Sequence, residues 1–132
     1  MSNILVFAEH SNGAFKGTAR ELINAASGFA AELGGTVTAM VLGDADAASL
    51  GAFGAQTVYQ VNGDFTHYDV ATVTAAIEAV IAKANPTHIL FPASYIGKDV
   101  TPRLAARLST GLAADCTDIR VSGATLVATR AL

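Results

Sequence analysis

Apolar strand-like runs and amphipathic helix-like runs alternate along this sequence. The alternation predicts an α/β fold, a doubly wound and mostly parallel sheet with helices on both faces. Residues 3–8 (NILVFA) are apolar without a break, as expected of a strand covered on both sides. Behind them Ala19, Leu22, Ile23, Ala26, Phe29, Ala30 and Leu33 recur at helical spacing. Connections are short, and no repeat, low-complexity segment or linker interrupts them. The 132 residues read as a single α/β domain with a sizeable core.

The elements follow in order. Loop 9–17 (EHSNGAFKG) carries Asn12-Gly13, a strong turn signal. Thr18-Ala19-Arg20-Glu21 fits a capping box, so the first helix should open at Thr18 and end at Gly34-Gly35. Residues 36–42 (TVTAMVL) form a second strand rich in β-branched side chains. Gly43-Asp44 turns into a short helix over 45–50, and a glycine-containing loop covers 51–55. A third strand spans 57–61, followed by a turn at Asn62-Gly63-Asp64. Asp69 reads as the cap of a helix running to about Ala84, with Val70, Val73, Ile77, Val80 and Ile81 on one face. Asn85-Pro86 stops it. Past Gly111, residues 115–121 and 125–130 read as a C-terminal β-hairpin around Ser122-Gly123. The sequence stops inside that strand pattern, so the expectation is a piece of a larger protein.

Residues 88–108 (HILFPASYIGKDVTPRLAARL) organise the chain. An apolar strand stops at Pro92, a small and polar loop covers 93–97, and a helix is expected from Lys98 or Asp99. Loops at the carboxyl ends of parallel strands are where ligands and partners sit. Gly97 permits close backbone approach, and Asp99 suits the positive end of the helix dipole. Pro102 is expected in the first turn, where its missing N–H matters little. Asp99 and Arg103 stand at a favourable ion-pair spacing. One reading makes the free N–H groups at this helix start, with Lys98, an anion or nucleotide site. The plainer reading is a well-capped surface helix with a basic edge, and on chemistry alone it is the stronger.

Composition narrows the function. Half the residues are apolar (52%) and 14% are charged, which excludes disorder. The net charge of −3 comes without a basic cluster, which argues against nucleic-acid binding. No apolar run approaches the roughly 18 residues that cross a bilayer, and no secretory signal opens the chain. The expectation is a soluble intracellular protein. The lone cysteine, Cys116, excludes an internal disulfide and any cysteine-rich metal site, and reads as a small hydrophobe near a buried strand rather than a redox thiol. His10, His67 and His88 have no partner at metal-ligand spacing, so no metal site is expected. Neither G-x-G-x-x-G nor a P-loop is present. Ser94 lacks the glycines of a nucleophile elbow. No catalytic residue is assigned.

Three segments resemble the N-terminal domain of the electron transfer flavoprotein alpha subunit: NILVFAEHSNGAFKGTARELINAA, PTHILFPASYIGKDVTPRLAARLSTGLAADCTDI and, within its end, AADCTDI. The resemblance implies a nucleotide-binding, adenine-nucleotide-hydrolase-like fold and an electron carrier without catalysis of its own. It implies a heterodimer with a beta subunit and electron exchange between flavin dehydrogenases and a quinone reductase or other acceptor, as in fatty acid oxidation. It also implies FAD held mainly by a C-terminal domain absent here, AMP as a possible ligand of the beta partner, and a cytoplasmic or mitochondrial-matrix location. By analogy with the nucleotide loop of the related beta subunit, Ser94, Gly97, Lys98 and Asp99 mark a cofactor-binding position.

Two rivals remain at this stage. An adenine-nucleotide module of the universal-stress-protein kind shares the architecture, but its glycine-rich segment is replaced here by ASYIGKDVTP, with one glycine. A small enzyme would combine Glu9, His10 and Ser94 at neighbouring strand ends.

Overall fold

The computed structural model describes residues 2–130. Its centre is a parallel four-stranded sheet built from β1 (Asn3–Phe7), β4 (Thr36–Leu42), β5 (Thr57–Val61) and β6 (His88–Leu90), in the order β5-β4-β1-β6. Two short strands, β2 (His10–Ser11) and β3 (Ala14–Phe15), make a minimal hairpin after β1. A second hairpin, β7 (Cys116–Ser122) with β8 (Thr125–Arg130), closes the described chain as expected. The helices are α1 (Gly17–Leu33), α2 (Val70–Ala84) and α3 (Tyr95–Leu108), with a 3-10 helix at Ala47–Phe53.

Alternation along β1 divides the core into two layers, because successive side chains of a strand point to opposite faces. Ile4, Val6 and Ala8 pack with Ala19, Ile23, Ala26 and Ala30 of α1. Leu5 and Phe7 pack with Val73, Ile77 and Val80 of α2 and with Val100 and Leu104 of α3. The hairpin sends Ile119 and Leu126 against the α1 layer. Both faces are therefore covered, as the unbroken apolar run of β1 predicts. At the amino edge Asn3 clamps the layers: its Oδ1 accepts from Thr36 and Thr38 hydroxyls, and its Nδ2 donates to the Ala84 carbonyl. Among the described residues no helix is long and apolar enough to cross a membrane.

Four local expectations are corrected. Helix α1 opens at Gly17 with Lys16 as N-cap, and no side chain caps it, so the box at Thr18–Glu21 does not form. The chain is fixed one turn earlier, where the Lys16 N–H donates to the Glu9 carbonyl. The short helix after β4 is a 3-10 helix that runs to Phe53 through the expected loop. Helix α3 starts at Tyr95 rather than Lys98 or Asp99, because Ser94 caps it: its Oγ accepts from the Gly97 N–H at 3.2 Å. Pro102 consequently lies about two turns inside α3, not in its first turn, and leaves the Lys98 carbonyl without its helical donor.

Candidate functional site

Strand order reverses at β1, with β4 and β5 on one side and β6 on the other. In open α/β sheets the crevice outside the carboxyl ends at such a reversal is the usual ligand position. Two residues 85 apart in sequence meet there. Glu9 follows β1 and Ser94 follows β6, and the Ser94 hydroxyl donates to Glu9 Oε1 at 2.6 Å. The Glu9 side chain is 3% exposed, and among the described residues its Oε2 has no partner besides the Lys16 ammonium, 2.6 Å away and half exposed. A buried carboxylate persists only with such neutralisation and hydrogen bonding.

His10 faces the same crevice but is fully engaged. Its Nε2 lies 2.6 Å from the Leu42 carbonyl, which can only accept, and its Nδ1 accepts from the Gly13 N–H at 3.0 Å. The ring is therefore the neutral Nε2–H tautomer, with no nitrogen left for Ser94. Ser94 in turn donates to Glu9 and accepts from Gly97. Of Glu9, His10 and Ser94, the fold joins Glu9 with Ser94 and builds no nucleophile–base pair from His10.

A cleft of about 1090 Å³ lies at this edge, lined among others by Glu9, His10, Lys16, Asp44, Asp46 and Asp64. Its charge is mainly acidic, which disfavours phosphate. Asp64 is held below the usual carboxylate range by the Thr66 hydroxyl and N–H. The backbone acceptors at the end of β4 are occupied from within: Leu42 by His10, and Gly43 and Ala45 by the Gln60 carboxamide at 3.0 and 3.1 Å.

The four residues marked by sequence surround the start of α3, and each is engaged inside the chain. Ser94 caps the helix. Gly97 is buried, and a Cβ there would overlap the Pro92 carbonyl oxygen, so the close approach it permits is to its own loop. Lys98 pairs with Asp115 at 3.3 Å, both exposed. Asp99 accepts from the Tyr68 hydroxyl at 2.6 Å. Burial, then this bond, pushes the Tyr68 phenol above its ordinary value. None of the four lines the cleft, whereas Ile96 between them does. Sequence reasoning passed over Tyr68 and Tyr95, whose rings meet edge to face at 5.8 Å while Tyr95 stays 77% exposed. Their only signal was aromatic side chains in otherwise polar loops. Cys116 is partly exposed, with its Sγ 3.4 Å from the Ala113 carbonyl.

The sequence has counterparts among known proteins. The chain is 35% identical over 123 residues to the electron transfer flavoprotein subunit alpha of Thermoanaerobacterium thermosaccharolyticum, covering 90% of this chain and 37% of that protein. It is 36% identical over 132 residues to the protein FixB of Clostridium saccharobutylicum, covering 96% and 40%. It is 33% identical over 118 residues to the LctC subunit of the lactate dehydrogenase (NAD(+),ferredoxin) of Acetobacterium woodii, covering 86% and 28%. The chain thus spans about two fifths or less of the length of these relatives. The family model of the electron transfer flavoprotein domain matches residues 4–132, and the chain therefore belongs to the electron transfer flavoprotein domain family.

Proposed function

We propose that this chain is the N-terminal scaffold and docking domain of an electron transfer flavoprotein alpha subunit. The observation that carries the reading is the pattern of coverage: alpha subunits match along 90–100% of this chain but over only 37–42% of their own length. In this reading the full-length subunit carries FAD and pairs with a beta subunit. It relays electrons between flavin dehydrogenases and a quinone reductase or another acceptor.

The flavin supplies the redox chemistry when bound. In this reading the flavin is held elsewhere in the full-length subunit, and Ser94, Gly97, Lys98 and Asp99, each engaged within this chain, support that placement. The role of this chain is to keep a rigid sheet with two packed faces and to present a docking surface. Apolar surface suited to docking is available at Leu108 and Leu112, 37% and 44% exposed, beside a groove of about 830 Å³ along β6.

The cleft at the strand-order reversal favours a second reading, an adenine-nucleotide module. Its acidic lining and internally occupied acceptors weigh against it. One experiment separates the two: the visible absorption spectrum of the purified chain, followed by denaturation and analysis of released nucleotide. A colourless, nucleotide-free protein that forms a one-to-one complex with a co-expressed beta subunit is the expected outcome. A yellow protein overturns the placement of the flavin site, and released adenine nucleotide without flavin favours the second reading.

A further inference from the structure

We infer that the β2–β3 hairpin is a pH-operated flap over the carboxyl-edge cleft, with His10 as its pivot. The hairpin is short: His10 pairs with Phe15, Ser11 with Ala14, and Asn12-Gly13 form the turn with φ of 49° and 89°. Both φ values are positive, as a tight two-residue hairpin turn requires. A turn built this way depends on every hydrogen bond that holds it, because an isolated two-stranded hairpin is marginal in water.

His10 makes two of those bonds with opposite polarity. Its Nε2–H donates outward to the Leu42 carbonyl of the central sheet, and its Nδ1 accepts inward from the Gly13 N–H of the turn. Protonation converts both ring nitrogens to donors. The bond to Leu42 survives and gains charge assistance. The bond to Gly13 is lost, and two N–H groups then face each other. The sheet end of the hairpin stays anchored while its tip is released. That tip packs beside the Asp44 backbone carbonyl at the cleft wall, so its release widens the mouth.

The charged and titratable groups that line the cleft with His10 are Glu9 and Lys16 on its own segment, paired with each other, Asp44 and Asp46 after β4, and Asp64 and Tyr68 after β5. The ring also meets Phe15 edge-on at 6.0 Å, a contact that does not titrate. Histidine is the side chain whose charge ordinarily changes between about pH 5 and 8.

NMR on the full chain tests this. At the alkaline end the imidazole nitrogen shifts should report the Nε2–H tautomer, with the Gly13 amide protected from exchange. Acidification through the ring's titration should lower Gly13 protection at least tenfold, while the amides of Lys16 and β1 keep theirs. A His10→Gln variant keeps a donor and an acceptor but does not titrate, so its Gly13 protection should be the same at both ends. The inference is overturned by an Nδ1–H tautomer, by unchanged Gly13 protection in the imidazolium form, or by the same acid-dependent loss in the glutamine variant.

Discussion

Removing the Ser94 hydroxyl takes away two bonds at once, the donor to Glu9 and the acceptor for the Gly97 N–H. A lost cap is worth about 1 kcal/mol, and a lost bond to a charged group about 1.5–3. Ser94→Ala should therefore destabilise the chain by about 2–4 kcal/mol, read as a lower urea midpoint at unchanged slope. Tyr68→Phe should be milder, about 1 kcal/mol, because water competes for a phenol near the surface. Its pH dependence has a definite sign. The folded phenol sits above its ordinary value of 10.0, so its contribution is complete below that pH and fades as alkali ionises the unfolded chain first. Wild type and Tyr68→Phe should accordingly converge in stability above about pH 10, measured by denaturant titration across the alkaline range.

Helix α3 shows an element at odds with its own propensity. Pro102 is exposed inside it, where it removes a helical donor. Pro102→Ala should stabilise by about 2 kcal/mol, the helix gain of about 3 less about 1 for the freer unfolded chain, seen as a higher melting temperature. The same helix marks the limit of what sequence discloses. Helix α1 was legible because seven apolar residues keep one period, and β1 because its unbroken run demands two covered faces. The start of α3 was not, because Tyr95-Ile96-Gly97 reads locally as loop. Only the fold shows that Gly97 is there to clear the Pro92 carbonyl while Ser94 caps the turn. The Thr18 box failed for a related reason: a contact between Lys16 and Glu9, invisible to local pattern, fixes the backbone first. At the site, the residue types were legible and their pairing was not. Glu9 and Ser94 were both singled out, yet their bond depends on β1 and β6 lying side by side.

Across the whole molecule, stability is uneven. The parallel sheet is buried between two layers, whereas the β7–β8 hairpin is mostly exposed and reaches the core through Ile119 and Leu126. Hydrogen exchange should therefore open β7 and β8 well before β1 and β4, with the hairpin amides least protected of the regular strands. The carboxyl edge is the opposite case, since Glu9 ties the loops after β1 and β6 to the entrance of α1 through Ser94 and Lys16. That tie constrains how the sequence can drift. Replacing Lys16 or Ser94 alone leaves a buried carboxylate short of a partner, and replacing Glu9 alone strands the groups that served it. Neutral change at these positions has to be concerted, so among descendants of this chain the three should be exchanged as a set. A double-mutant cycle on Glu9 and Ser94 should return a coupling of about 1–3 kcal/mol, the barrier that separates one permitted combination from the next.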